Sequence, residues 1–126
     1  MTADNFRDIA LSLHGAIERA HMGHPDFRAN GRIFASLQAH ERTGTVKLTP
    51  MEQREFMRAH PKVFAPAPGA WGRQGWTEVR LSEADIGTAR AALMVAWQGV
   101  GEAPRSRRSP KPRTTRAARP SRKRRS

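Results

Sequence analysis

The residues whose types and spacing could support chemistry lie in one short stretch, "AHMGHPDFR", Ala20–Arg28. His21, His24 and Asp26 are side chains that can bind a transition metal or act as general bases. In an extended strand, residues i and i+3 face opposite sides, so the two histidines could share an ion only if Gly23 turned the chain sharply. We therefore expect structural or solvent-facing histidines and predict no metal and no cofactor, with a small metal-dependent enzyme as an alternative.

Other catalytic patterns are missing from the sequence. The remaining acidic residues mostly lie near expected helix starts, where a negative charge suits the helix dipole. The sequence has no G-x-G-x-x-G or P-loop motif, and no serine has the surroundings of a nucleophile elbow. The chain has no cysteine, which excludes disulfides, thiolate metal sites and a cysteine nucleophile. We expect a protein that is not an enzyme.

Charge is distributed unevenly along the 126 residues, whose net charge is +12. Residues 1–101 carry 12 Lys and Arg against 10 Asp and Glu, whereas residues 102–126 carry 11 against 1. After Gly101 no apolar side chain larger than alanine occurs, so this tail cannot bury enough surface to offset its ordering entropy. The sequence predicts one domain, 1–101, and a disordered basic tail, 102–126.

Three helices are predicted from apolar spacing and capping residues. The first covers about Asp4–Leu13. Thr49 and Glu52 have the spacing of a capping box, which predicts a second helix from Pro50 to about His60. Ser82 is the expected cap of a third helix that ends at Gly101. Its apolar stripe consists of Ile86, Ala89, Leu93, Ala96, Trp97 and Val100.

Strands are predicted between these helices. Asn30-Gly31 indicates a tight hairpin between Asp26–Ala29 and Arg32–Gln38. Alternation in the second strand predicts that Ile33, Ala35 and Leu37 face inward and that Arg32, Phe34 and Ser36 face outward. "TVKL" and "WTEVRL" are further strands, with inward Val46, Leu48, Thr77, Val79 and Leu81, whereas "FAPAPGAWGRQG" is expected to be a loop. This order predicts an α+β domain, an antiparallel sheet with helices on one face.

The outward side of this sheet is a candidate nucleic-acid surface. Cations there would meet phosphates, and aromatic rings would stack on bases. The predicted contacts in the domain are Arg28, Arg32, Lys47, Arg73, Trp76 and Arg80, with Phe34 and Trp71 beside them. The same pattern also fits an ordinary solvated sheet face on which Phe34 and Trp76 pack across strands.

The basic tail points to a polyanionic partner. Arginine-rich arms bind nucleic acids by releasing condensed counterions, without reading bases. Contact with about six phosphates would give a slope of log K against log salt near −5. The predicted contacts in the tail are Arg105, Arg107, Arg108, Lys111, Arg113, Arg116, Arg119, Arg122, Lys123, Arg124 and Arg125.

Several segments together resemble a known family. "LSLHGAIE", "HMGHPDFRANGRIFASL", "VKLTPMEQREF", "GAWGRQGWTEVRL" and "AWQGV" are similar to motifs of the MmcQ/YjbR family of small bacterial proteins. The resemblance covers about residues 4–101 and implies an α+β architecture like that of secretion chaperones and CyaY. Members of this family are often called DNA-binding, because their fold was likened to a double-wing motif.

These observations give two functional hypotheses. The first is a non-enzymatic protein that binds nucleic acid, with double-stranded DNA as the expected partner. It binds mainly through its tail and with little sequence preference. The second is a protein-interaction or small-ligand module that uses the loop from Trp71 to Trp76. No apolar run approaches the ~18 residues of a membrane span, and "MTADNFRDIA" lacks the basic start of a signal peptide. The expected location is the cytoplasm, including the nucleoid if DNA is the partner.

Overall fold

The computed structural model describes residues 1–21, 23–38, 40 and 42–102. Its helices are α1 (Ala3–Ser12), α2 (Pro50–Ala59), the short α3 (Ala70–Arg73) and α4 (Ile86–Glu102). Its strands are β1 (Ile17–His21), β2 (His24–Ala29), β3 (Arg32–Leu37), β4 (Thr43–Lys47), β5 (Phe64–Pro66) and β6 (Trp76–Arg80). The predicted α+β class is therefore confirmed.

The six strands form one antiparallel sheet in the order β1-β2-β3-β4-β6-β5. Helix α4 packs on β2, β3 and β4, and α1 packs on α4 and β4. The core between these helices and the sheet includes Phe6, Phe27, Val46 and Leu93, which are all completely buried. The other face of the sheet carries most of the polar strand side chains, and this face contains the candidate site.

The hairpin between β2 and β3 has the predicted turn. Asn30 and Gly31 have φ angles of 55° and 76°, and Ala29 pairs with Arg32 across them. Two consecutive positive φ values are typical of a type I′ turn, whose twist matches that of the flanking strands. Because asparagine and glycine tolerate this backbone better than other residues, the dipeptide sets the position of the hairpin.

Strand β3 contains a β-bulge that corrects the predicted orientation of its side chains. Phe27 of β2 is paired with Ala35, but the next residue, Arg28, is paired with Ile33. Phe34 therefore has no partner in β2 and is the extra residue of the bulge. Phe34 lies in the core, although the sequence pattern predicted that it faces outward. Ile33, which was predicted to face inward, is only partly buried. The bulge changes the side of Ile33 relative to strict alternation.

The start of α2 is as predicted, and the start of α4 is not. The hydroxyl of Thr49 accepts from the amide of Glu52 at 3.1 Å, and the Glu52 carboxylate accepts from the amide of Thr49 at 2.9 Å. At α4, the residues expected to begin the helix form a 3-10 turn, Leu81–Glu83. The cap is Asp85, whose carboxylate accepts from the amide of Thr88 at 2.7 Å. That hydrogen bond lowers the pKa of Asp85.

Two strands and one helix were missed from the sequence. β1 has no apolar side to recognise, because its residues Ile17–Ala20 are all exposed. β5 and α3 lie in the stretch that was expected to be a loop, so that prediction was wrong in part. β5 is only three residues long and forms an edge of the sheet beside β6, where Pro66 is tolerated.

The predicted tail lies almost wholly outside the described residues. Helix α4 continues one residue past the expected domain end at Gly101, to Glu102. Glu102 is therefore helical, and the rest of the segment predicted to be disordered, with all eleven predicted tail contacts, lies outside the described residues. No helix within that part has the length and apolar character needed to cross a membrane.

The bulge makes a prediction about Phe34. Because its side chain has no exposed surface, Phe34→Ala is expected to lower the free energy of unfolding by about 3–5 kcal/mol, as in other buried aromatic truncations. The control is Ile17→Ala, at a residue that is 48% exposed, with an expected effect of about 0.5 kcal/mol or less. Urea unfolding of both variants measures the difference, and equal small losses would contradict the buried position of Phe34.

Candidate functional site

The open face of the sheet aligns polar side chains from neighbouring strands. Asp26 of β2 pairs with Ser36 of β3, which pairs with Thr45 of β4, which pairs with Glu78 of β6. Directly opposed residues in an antiparallel sheet lie roughly 5 Å apart on the same face. The strand register thus forms a continuous polar row across the middle of the open face.

The histidine stretch forms a tight hairpin. Gly23 does turn the chain sharply, with φ of 81°, and His21 pairs with His24 across the turn. Asp26, however, is buried and engaged elsewhere, because its two carboxylate oxygens accept from Arg28 at 2.8 and 3.2 Å. Within the residues that the structure describes, no group of three or more potential ligands could hold a metal ion.

The Asp26–Arg28 pair also changes the expected role of Arg28. The hydrogen bond with Asp26 raises the pKa of Arg28 and pairs its guanidinium group with a carboxylate of the same strand. Arg28 thus has less charge available for an external phosphate than the sequence suggested. Its main structural effect is to compensate a carboxylate that is 3% exposed.

A cleft of about 370 Å³ opens over the polar row, and we call it the central cleft. Its floor is formed by Asp26, Thr45 and Glu78, and its sides by Ile33, Trp71 and Trp76. This volume is within the range of roughly 300–1,000 Å³ that small-ligand sites occupy. The central cleft combines aromatic walls with a few polar groups, which is the usual composition of such sites.

Two tryptophans define the wall of the central cleft. The rings of Trp71 and Trp76 meet edge to face, with centroids 6.1 Å apart and planes at 77°. Trp71 is 62% exposed, whereas Trp76 is half-buried. Such a pair offers one largely accessible ring face, held in place by the edge contact with the second ring.

A second cleft, of about 610 Å³, lies at the end of the sheet beside α4, and we call it the basic cleft. It is lined by Arg28, Arg32, Lys47 and Glu52, and it shares Ile33 and Trp76 with the central cleft. Partial burial and the nearby charge of Arg32 lower the pKa of Lys47, and Glu52 only partly opposes this shift. Arg32 and Lys47 therefore repel one another at a site that is partly shielded from solvent.

Lys47 is held against Trp76. Its Nζ atom lies 5.9 Å from the centroid of the Trp76 ring and donates to the carbonyl oxygen of Gln74 at 3.3 Å. A cation within about 6 Å of an indole ring is attracted by the negative charge on the ring face. The expected neighbourhood of cation and aromatic ring is present here, at one end of the open face.

The segment from Trp71 to Trp76, which we call the tryptophan segment, is held in place by hydrogen bonds from Gln53 of α2. The buried Nε2 atom of Gln53 donates to the carbonyl oxygens of Gly72 and Trp76 and to the hydroxyl of Thr77, at 3.0–3.1 Å. Close backbone approaches fix it further. A Cβ atom at Gly72 would lie 2.1 Å from the Ala67 carbonyl oxygen.

The same constraint applies at Gly75. A Cβ atom there would lie 1.8 Å from the carbonyl oxygen of Leu48, and the residue has a φ of 109°. Its backbone oxygen accepts from the amide of Leu48 at 3.1 Å. The tryptophan segment is therefore seated directly on the end of β4, with no room for a side chain between them.

The other predicted contact residues do not join this group. Arg80 lies four residues from Trp76 along β6, roughly 13 Å away at the usual strand rise, and donates to the Lys62 carbonyl oxygen at 3.1 Å. Arg73 is exposed on α3. Of the six predicted domain residues, the structure brings together Arg28, Arg32, Lys47 and Trp76.

Several residues of the central cleft were missed in the sequence. Asp26 was considered only as a metal ligand or a catalytic base, and Thr45 and Glu78 belonged to no recognised motif. The strand pattern did contain a usable signal, because Thr45 and Glu78 are outward-facing neighbours of predicted inward residues. What the sequence could not provide was the register that places Asp26 and Glu78 in one row.

The position of Gln53 makes a prediction about pH. Gln53→Glu places a carboxylate against two carbonyl oxygens that need a donor, which is expected to cost about 1–3 kcal/mol of unfolding free energy at neutral pH. A protonated carboxyl group can donate, so the variant's side chain should have a raised pKa in the folded state. The loss should shrink as pH falls and grow as pH rises through that pKa.

The matched control is Gln98→Glu, the same change at an exposed position of α4. It is expected to leave stability and its pH dependence nearly unchanged. Urea unfolding over a pH series measures both variants. A Gln53→Glu loss that stayed constant from acid to neutral pH would contradict the described hydrogen bonds.

Comparison with known proteins agrees with this architecture. The chain is similar to a solved structure, the Deinococcus radiodurans protein DR2400 with its DUF419 domain. The TM-score is 0.70 at 18% identity, and the match covers 83% of this chain and 82% of that one. At this identity the likeness establishes the fold. No curated protein matches the sequence.

The family model named YjbR matches residues 11–98, which is most of the chain and nearly all of the folded part. The matched range contains both tryptophans of the central cleft and every cation of the basic cleft. The resemblance expected from the sequence motifs is confirmed: this chain belongs to the YjbR family.

Proposed function

We propose that this protein binds nucleic acid without catalysing a reaction, and that double-stranded DNA is its partner. The tail supplies most of the affinity by meeting phosphates, so binding depends little on base sequence. The basic cleft extends the same surface onto the folded domain. The proposal includes no catalytic step, and Asp26 of the histidine stretch is engaged by Arg28.

One observation carries the proposal: the tail begins beside the basic cleft. Gly99 and Val100 of α4 line that cleft together with Arg32 and Lys47. The end of α4 also lies against the β2–β3 turn, since a Cβ atom at Gly101 would be 3.7 Å from Asn30. The eleven Lys and Arg of residues 103–126 therefore follow directly from the cationic end of the domain.

The electrostatics of the basic cleft favour an anion. Partial burial and, to a smaller extent, the charge of Arg32 disfavour the charged form of Lys47, which lowers its pKa. A phosphate placed between the two cations would remove their repulsion and favour the charged ammonium. Polyanion binding should therefore raise the pKa of Lys47.

The geometry offers little for base recognition. Trp76 is half-buried and already contacts Lys47, and Arg28 is paired with Asp26. Phosphate contacts position a protein on the duplex but carry no sequence information. This supports binding that is largely independent of sequence.

The test is fluorescence anisotropy of labelled duplex DNA over a salt series. With about six phosphates contacted, the full chain should show a slope of log K against log salt near −5. A full-length variant with all eleven tail Lys and Arg changed to Gln should lose most of its affinity and most of this slope. Retained binding by that variant would contradict the role of the tail.

A second pair of variants tests the basic cleft. Arg32→Gln with Lys47→Gln should reduce the slope by about 1–2 units, roughly one for each phosphate that the variant no longer binds. The matched control, Arg90→Gln with Lys62→Gln, removes the same two charge types from exposed positions outside the cleft. Equal effects of the two pairs would show that only net charge matters.

The alternative expected from the sequence, a module for a protein or small ligand, makes a different prediction. Such binding would survive in high salt and would be lost in Trp71→Ala or Trp76→Ala. The absence of DNA binding by the full chain at low salt would exclude the nucleic-acid proposal and favour this alternative.

A further inference from the structure

The central cleft has the opposite charge from the basic cleft beside it. Two carboxylates, Asp26 and Glu78, line it, and none of its lining residues is Lys or Arg. Arg28 compensates Asp26, whereas none of the three ion pairs among the described residues involves Glu78. The central cleft therefore contains one carboxylate that forms no ion pair with any residue the structure describes.

Among the described residues, the neighbours of Glu78 provide no counter-charge. Across the sheet it pairs with Thr45 on one side and Ala65 on the other, and neither is charged. Arg80, two residues further along β6, donates instead to the carbonyl oxygen of Lys62. Because Glu78 is partly buried, a cation that enters the cleft would relieve the cost of its desolvation.

The wall of the cleft favours a planar cation. Trp71 is 62% exposed, and the one cation–ring contact among the described residues uses Trp76 and Lys47. A guanidinium group stacks on an indole face more readily than an ammonium group does. It also presents two parallel N–H groups that fit the two oxygens of a carboxylate.

We propose that an arginine side chain of residues 103–126 occupies the central cleft. Its guanidinium group pairs with the carboxylate of Glu78 and stacks on the ring of Trp71. The tail offers nine arginines, so this contact needs no other molecule. The proposal goes beyond nucleic-acid binding and does not depend on it.

The tail is long enough and starts in the right place. The described chain ends at Glu102 beside the basic cleft, which shares Ile33 and Trp76 with the central cleft. Ten extended residues span roughly 33 Å. Neighbouring strands lie about 4.8 Å apart, so the five spacings of a six-stranded sheet span roughly 24 Å, and the first half of the tail can reach across the open face.

The test uses the indole N–H signals of the three tryptophans in a ¹H–¹⁵N spectrum of the full chain. Trp97 is the internal control, because its Nε1 atom donates to the His14 carbonyl oxygen away from both clefts. Two full-length variants change the nine tail arginines, one to Lys and one to Gln. Arg→Lys keeps the charge of the tail but removes every guanidinium group.

We expect the Trp71 and Trp76 signals to shift in both variants, while Trp97 stays in place. Adding N-acetyl-arginine amide to the Arg→Gln variant should move both signals back toward their wild-type positions. The uncharged N-acetyl-citrulline amide should not do so. Glu78→Gln should weaken the effect of the arginine compound about tenfold, the expected loss for one charge-assisted pair.

The control for the last variant is Glu83→Gln, at an exposed residue outside the cleft, which should change nothing. Identical Trp71 and Trp76 signals in the wild type and both tail variants would overturn the proposal. If the arginine compound still shifted those signals in a Glu78-dependent way, the cleft would be a guanidinium site for another molecule. Equal shifts with the citrulline compound would overturn the guanidinium site itself.

Discussion

The bulge at Phe34 is the constraint on which the shape of the open face depends. It buries Phe34 in the same core as Ala35, and it leaves Ile33 opposite Arg28, where it separates the two clefts. Without the extra residue, strict alternation would bury Ile33 and expose a phenylalanine on the floor between them. One backbone irregularity thus completes the core and shapes the surface above it.

The open face also separates charge over a short distance. The Asp26–Arg28 pair lies at the boundary, because Asp26 lines the central cleft and Arg28 lines the basic cleft. Beyond this boundary, Glu78 forms no ion pair with a described residue on one side, and Arg32 and Lys47 repel one another on the other. The basic tail can therefore be attracted by one half of the face while it extends the charge of the other half. A phosphate chain and Glu78 would then compete for the same arginines.

The sequence predicted those features that are encoded locally. The capping box of Thr49 and Glu52 and the Asn30-Gly31 turn need only neighbouring residues, and both are present as expected. The bulge was not predictable, because "GRIFASLQ" alternates well as a regular strand and nothing local marks Phe34 as unpaired. Ser82 and Asp85 are both good caps, and only the burial of Leu81 and Ala84 decides between them. The central cleft depends on the register of four strands and on a tryptophan 45 residues from Asp26, so no local pattern revealed it.

The close backbone packing of the tryptophan segment has a thermodynamic consequence for any ligand that enters the central cleft. Gly72 and Gly75 bring its backbone into close contact with Ala67 and Leu48, which restricts its movement. A site whose wall is already fixed has no loop to order on binding, so little conformational entropy is lost there. Even a weak guanidinium contact would then retain most of its interaction free energy. The association rate would be limited by diffusion of the guanidinium group to the cleft, because the tryptophan segment does not have to move first.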